Sequence, residues 1–146
     1  MRIKAALVAV GMAVAGVVGL TGTADACTSA GGGHTCLYSA RDFGGPRWDD
    51  GALSTANWGA HTYIGTNVRL YAGDGSLSNV SSMSNYDFDS NVAVYYNSNY
   101  RGGCFTIAAG GQVSDMARIR LSDGTNANDR MNSHHYNRTC GPVHNF

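Results

Sequence analysis

The sequence predicts an all-β sandwich assembled from hairpins, and three observations carry that prediction. One aromatic stretch occurs twice, as Tyr38-Ser39-Ala40-Arg41-Asp42-Phe43-Gly44-Gly45 and as Tyr95-Tyr96-Asn97-Ser98-Asn99-Tyr100-Arg101-Gly102, each reading aromatic, four residues, aromatic, one residue, Gly. Such an internal repeat implies two versions of one unit. The apolar runs beyond the N-terminus are short and are separated by turn residues: Thr35-Cys36-Leu37, Val92-Ala93-Val94, Gly103-Cys104-Phe105-Thr106-Ile107. Past the N-terminal run, no apolar period of 3.6 persists beyond two turns, so helix is confined to a turn or so.

Taken in order, Arg2 and Lys4 precede an apolar run from Ala5 to Leu20, which ends in Ala24-Asp25-Ala26. This predicts a secretory signal peptide over residues 1–26, cleaved before Cys27, and an extracellular protein. A membrane anchor is the competing reading, but the run is short, glycine-containing and followed by a cleavage-type tripeptide. Residues 27–146, about 120 residues, suit one compact domain. Losing the leader removes the only Lys; Glu is absent throughout, and Arg and Asp are left nearly balanced. The arginines are scattered between aspartates, which argues against nucleic acid as partner. No membrane contact is expected after cleavage, and a monomer is expected.

Cys27, Cys36, Cys104 and Cys140 all fall in the exported part, and an even count there predicts two disulfides. Three connectivities are open. The favoured one is a local clip, Cys27–Cys36, with Cys104–Cys140 tying the second hairpin to the C-terminal segment. Zinc is the competing use of cysteine, disfavoured because no C-x-x-C pair occurs.

Thr35 to Tyr38 reads as a strand, followed by the folded hairpin and a strand at Pro46-Arg47-Trp48. Asp50-Gly51 is a turn signal, and Ala52 to Ala60 reads as a surface loop in which Trp58 is either a plug over the core or an exposed contact. Strands are expected at His61–Ile64 and Val68–Tyr71, rich in β-branched and aromatic residues, and from Leu77 to Met83. Asn85 to Asn91 is a polar junction too short to separate the halves. The second half repeats the programme, with strands near Val92–Tyr96, Cys104–Ile107 and Ala117–Leu121.

Tyr38, Phe43 and Gly45 with Ser82, and Tyr95, Tyr100 and Gly102 with Ser133, resemble the signature of the βγ-crystallin Greek-key motif. The resemblance implies a sandwich of two Greek keys, about 34–85 and about 92–137, in which each serine bonds its folded hairpin. The leader, Cys27…Cys36-Leu37-Tyr38…Phe43-Gly44-Gly45 and the late Asn128-Asp129-Arg130 are similar to the secreted bacterial βγ-crystallin-like peptidase inhibitors of the streptomycete metalloproteinase-inhibitor type. That likeness implies an inhibitor presenting a rigid loop to a protease cleft, with a secreted protease, of the metallopeptidase class first, as partner. Leu53–Tyr63, with Trp58 and bordered by Arg47 and Trp48, and Ala108–Ser114, with Gly110 and Gly111, are the loop candidates.

The likeness also makes calcium possible, though no cofactor is required, through Asn128, Asp129, Asn132 and Ser133, oxygen donors that suit a hard cation. The alternative function is a non-inhibitory crystallin domain with weak calcium binding or a surface or glycan-binding role; a small toxin is a third.

Catalysis is not expected. H-E-x-x-H is impossible without Glu, no G-x-S-x-G elbow occurs, and the Asp49-Asp50 and Asp87/Asp89 pairs read as solvated turns. His134 and His135 are neighbours on a strand and point to opposite faces, so they do not share a metal; these two, like His34, His61 and His144, are read as exposed.

Overall fold

The computed structural model describes Cys27, residues 33–72 and residues 80–146. The expected leader and residues 73–79 lie outside the described residues, as do the first residues of the strand expected from Leu77. Eight strands form two four-stranded sheets. The first contains β1 (Thr35–Tyr38), β2 (Arg47–Asp49), β3 (Ser82–Asn85) and β6 (Gln112–Val113), in the order β2-β1-β3-β6. The second contains β4 (Val92–Asn97), β5 (Arg101–Ile107), β7 (Ser133–Tyr136) and β8 (Val143–His144), in the order β7-β4-β5-β8.

The halves exchange strands. β6 belongs to the second half by sequence but pairs with β3 of the first. Reciprocally, Thr55 of the first half bridges His134 of β7, with both N–H groups donating across the pair at 2.9 and 3.0 Å. One core lies at this exchange, with Leu37, Trp58, Leu70, Met83, Phe105 and Met116 wholly buried. Burying each such side chain contributes about 1.5–3 kcal/mol, which favours one packed unit over two separate halves.

The repeat holds at the level of single atoms. Ser82 Oγ accepts the Phe43 N–H at 3.1 Å and donates to the Ala40 carbonyl at 2.7 Å. Ser133 Oγ accepts the Tyr100 N–H at 3.1 Å and donates to the Asn97 carbonyl at 2.6 Å. Each hairpin holds two consecutive non-glycine residues in the left-handed region, Asp42 and Phe43 at φ 56° and 59°, Asn99 and Tyr100 at 58° and 59°. Such a conformation is costly without support, and the serine supplies it by fixing the second residue's N–H. The aromatic pairs then meet edge-on, Tyr38–Phe43 at 5.7 Å and Tyr95–Tyr100 at 6.0 Å.

Four expectations need correction. His61–Ile64 and Val68–Tyr71 are not extended strands; they meet in the single bridge Thr62–Arg69, because Tyr63 and Leu70 turn into the core on either side of the Gly65 turn. Ala117–Leu121 is not a strand. The Asp115 carboxylate caps the Ala117 N–H at 2.9 Å and starts a 3-10 helix, Met116–Arg118, which the single bridge Arg120–Asn126 follows. Ala52–Ala60 is not simply a surface loop, since Asn57 caps a matching 3-10 helix, Trp58–Ala60, that drives Trp58 into the core. The third strand of the first half runs four residues over Ser82–Asn85 rather than ending at Met83, so Asn85 belongs to the sheet and not to the junction.

Candidate functional site

Asp50 is the centre of a buried polar network. It follows β2 immediately, and the Asp50-Gly51 turn folds its side chain inward instead of leaving it in solvent. Oδ1 accepts the N–H groups of Thr35 and Ala52 at 2.9 and 2.8 Å. Oδ2 accepts the Tyr136 hydroxyl and the His134 Nε2–H, both at 2.8 Å. His134 Nδ1 accepts the Trp58 Nε1–H at 2.9 Å. An indole N–H only donates, so Nδ1 is unprotonated and the imidazole is the neutral Nε2–H tautomer. Thr35 Oγ1 completes the network at 2.8 Å from the Tyr136 oxygen. Burial pushes the Tyr136 phenol up, and the Asp50 charge adds to the shift.

The Asp50 and His134 side chains are both 0% exposed. The readings of Asp50 as a solvated turn and His134 as an exposed histidine are therefore corrected: the pairing partner of each lies 84 residues away, across the two halves. An aspartate orienting a histidine is half of a hydrolytic triad, but here an indole occupies the nucleophile's place and no substrate reaches it. The network ties the sheets together. His135 points to the opposite face, edge-on to Tyr100 at 4.8 Å.

Both favoured disulfides are present, Cys27–Cys36 and Cys104–Cys140. They suggest an extracellular protein, and no helix among the described residues is long and apolar enough to cross a membrane.

The calcium candidates are split between two tasks. Asn132 Oδ1 accepts the Trp58 N–H at 3.1 Å, and Ser133 Oγ is committed to its hairpin. Asn128 donates to Asp129 Oδ2 at 2.7 Å. Asp129 is half-buried at φ 52°, and burial raises its carboxyl above the ordinary range, against the smaller opposite pull of Asn128. With the folded value above the unfolded one, the unfolded chain loses this proton first as pH rises. The native state is penalised from the ordinary carboxyl range upward, fully so above the raised value. Asp129→Asn, an uncharged residue at ease in the left-handed region, should raise Tm at pH 7 and leave it unchanged at pH 3. Equal melting of the two proteins at pH 7, or an equal gain at both pH values, would contradict this assignment.

The loop candidates differ in what they expose. Trp58 is 0% exposed, so it is a plug over the core and not a partner contact. Of the Leu53–Tyr63 stretch, Leu53 is the strongly exposed apolar residue, at 67%. Directly beyond it, Ile64 stands 60% exposed on a turn fixed by three backbone bonds: Tyr63 N–H to the Val68 carbonyl at 3.0 Å, Thr66 N–H to the Tyr63 carbonyl at 3.1 Å, and Ile64 N–H to the Arg47 carbonyl of β2 at 2.9 Å. Trp48 flanks the hairpin, its ring 4.7 Å from His61. The buried anchors Tyr63 and Leu70 hold the turn from below.

Ala108–Ser114 contains a tight turn at Gly110, φ 68°, lying against the Phe88 ring, with Gly111 close to the C-terminal strand. Its glycines offer no side chain to a pocket. Val113 of this segment borders a cleft of about 290 Å³ together with Ile119, His144 and Phe146.

No family model matches the chain, and no curated protein matches it significantly. Solved structures do. A chain described as "Evolution of the eye lens beta-gamma-crystallin domain fold" is 17% identical over 75% of this chain and 88% of its own length, with a TM-score of 0.52. A beta gamma crystallin from Ciona intestinalis is 16% identical over 70% of this chain and 96% of its own, at 0.47. Spherulin 3A from Physarum polycephalum is 16% identical over 75% and 86%, at 0.48. The fold is that of βγ-crystallin domains.

Proposed function

We propose that this protein is an exported, non-catalytic inhibitor of peptidases, metallopeptidases first, acting through the turn that carries Ile64. The observation that supports this reading most directly is the combination of a strongly exposed branched aliphatic side chain with a backbone already bonded on both flanks. A segment fixed before binding loses little entropy on entering a cleft, and resists the distortion that cleavage requires. Peptidases with an apolar specificity pocket fit such a side chain.

The test is titration of the purified, oxidised chain against a thermolysin-like metallopeptidase, a serine peptidase and a cysteine peptidase. Stoichiometric, saturable loss of metallopeptidase activity is expected. Ile64→Asp should weaken it roughly a hundredfold or more, the scale of a central interface residue, with Tm unchanged because the side chain is in solvent. Full activity of all three enzymes, with the chain uncleaved, would sink the reading.

Asp129 favours a second reading, a weak calcium-binding domain without inhibitory activity. A half-buried carboxylate with a raised pKa gains from a nearby cation. Calcium would then raise Tm of the native protein but not of Asp129→Asn, with every peptidase unaffected.

A further inference from the structure

The cleft beside the C-terminal strand shares no residue with the Ile64 turn. Val113 and Ile119, both buried, and the rings of His144 and Phe146, 5.7 Å apart, give it an apolar lining. Burial lowers the His144 pKa, so at pH 7 the imidazole adds no charge. The lining is set before anything enters. Ala108 N–H donates to the His144 carbonyl at 2.8 Å and Gln112 N–H to the Phe146 carbonyl at 3.1 Å, while Asp115 caps the 3-10 helix that ends at Arg118.

Ser114, Asp115 and Arg118 supply the polar part of the cleft. Asp115 Oδ1 is spent on the Ala117 N–H. Its Oδ2 stands 3.6 Å from Arg118 Nε and 3.6 Å from an Arg41 Nη, near enough for attraction and too far for a hydrogen bond. The carboxylate is 10% exposed, whereas both guanidinium groups reach into solvent. Among the described residues, neither guanidinium and not the Ser114 hydroxyl has a hydrogen-bond partner. One carboxylate therefore answers two cations, and their donors remain unspent. Asp42, whose N–H bonds the Ser114 carbonyl at 2.8 Å, brings a second acid to this corner, but its carboxylate pairs with neither arginine.

We propose that this cleft binds a small monocarboxylate with one aromatic ring or a branched aliphatic body. The body lies against Val113, Ile119, His144 and Phe146, and the carboxylate meets Arg118, with Arg41 adding its charge. A volume of about 290 Å³ is at the small end of ligand cavities, which suits one ring and a short chain. The excess of guanidinium over carboxylate selects an anion and repels an amine. Arg118 offers the forked geometry that a carboxylate takes up with two parallel bonds.

The probe is 3-phenylpropionate, titrated into the oxidised native chain and followed by amide chemical shifts. Saturable one-to-one binding is expected, with Kd at or below about 1 mM, and with the shifts gathered on residues 113–119 and 143–146. The neutral 3-phenylpropanamide should bind about threefold or more weakly, the scale of one exposed ion pair. Arg118→Gln should weaken the carboxylate by the same factor and leave the amide unaffected. Phe146→Ala should weaken both ligands. Arg118 and Phe146 are exposed, so both variants should melt with the native chain. Ile64→Asp should bind like the native chain, which keeps this test separate from that of peptidase inhibition.

Shifts that never saturate, or that spread over the whole surface, overturn the proposal. Equal affinity for carboxylate and amide does so too, since the arginines then select nothing. Acetate binding as tightly as 3-phenylpropionate would show that the apolar lining is idle. A peptide ending in phenylalanine that binds about tenfold more tightly than the probe would assign the cleft to a chain end instead.

Discussion

Asp50→Ala should lower the unfolding free energy, measured by urea titration, by roughly 3–5 kcal/mol, because several buried donors lose one shared acceptor and each costs about 1–3 kcal/mol when left unsatisfied. Against a typical total of about 5–15 kcal/mol, that brings the domain close to unfolding at ordinary temperature. The size follows from what is stranded. The Tyr136 hydroxyl, the His134 Nε2–H and the N–H groups of Thr35 and Ala52 all lose their acceptor together, in a place water does not reach.

Asp50→Asn separates geometry from charge. The side-chain oxygen can keep the two N–H groups of Thr35 and Ala52, but the new amide then faces the His134 Nε2–H, donor against donor. Switching the imidazole tautomer only moves the conflict to the Trp58 indole, which cannot accept. Tyr136 can relieve its part by rotating its hydroxyl toward Thr35. The amide should therefore cost less than alanine and still more than about 1 kcal/mol. Urea midpoints for both variants within experimental error of the native chain would show that the network does not hold the halves together.

The features that sequence makes visible are those stated by neighbouring residues. The folded hairpins announce themselves through aromatic and glycine positions a few residues apart, and doubling makes each copy evidence for the other. The serines 82 and 133 lie 39 and 33 residues beyond the N–H groups they fix, yet the repeat aligns them. The 3-10 helices are legible in principle by the same device. Asn57-Trp58-Gly59-Ala60 and Asp115-Met116-Ala117-Arg118 each place a side-chain acceptor one residue before a large apolar residue, at matching points of the two halves. Without that alignment, Ala117–Leu121 reads as a strand.

Asp50 is not legible because its local signal is that of a turn, which is also true. Its turn is real, and the carboxylate nonetheless points inward because four donors wait there. No rule of spacing joins Asp50 to His134, since their contact exists only after the halves have exchanged strands. Ile64 escapes sequence reasoning for a different reason. The strand pattern over His61–Ile64 assigns it to a sheet face, whereas the chain turns at Ile64 and leaves its side chain in solvent.

Trp58→Ala should cost roughly 3–5 kcal/mol, the range for emptying a buried aromatic site, and should reduce near-ultraviolet circular dichroism. It removes the largest wholly buried side chain and leaves the His134 Nδ1 acceptor unpaired. Trp58→Phe divides these effects. It keeps most of the ring volume and drops only the N–H, so its expected cost is about 1–3 kcal/mol, the penalty for an unsatisfied buried acceptor. Combining it with Asp50→Asn gives a sharper measure. With phenylalanine in place, Nδ1 no longer meets a donor, so His134 can take the Nδ1–H tautomer and accept, at Nε2, the amide N–H that Asp50→Asn introduces. The double variant should therefore be less destabilised than the two single losses summed, by roughly 1 kcal/mol or more, the scale of coupling between residues in one network. Strict additivity would mean that Trp58 and Asp50 do not communicate through His134. A cost for Trp58→Ala under about 0.5 kcal/mol, with loss of peptidase inhibition instead, would return Trp58 to the surface as a partner contact.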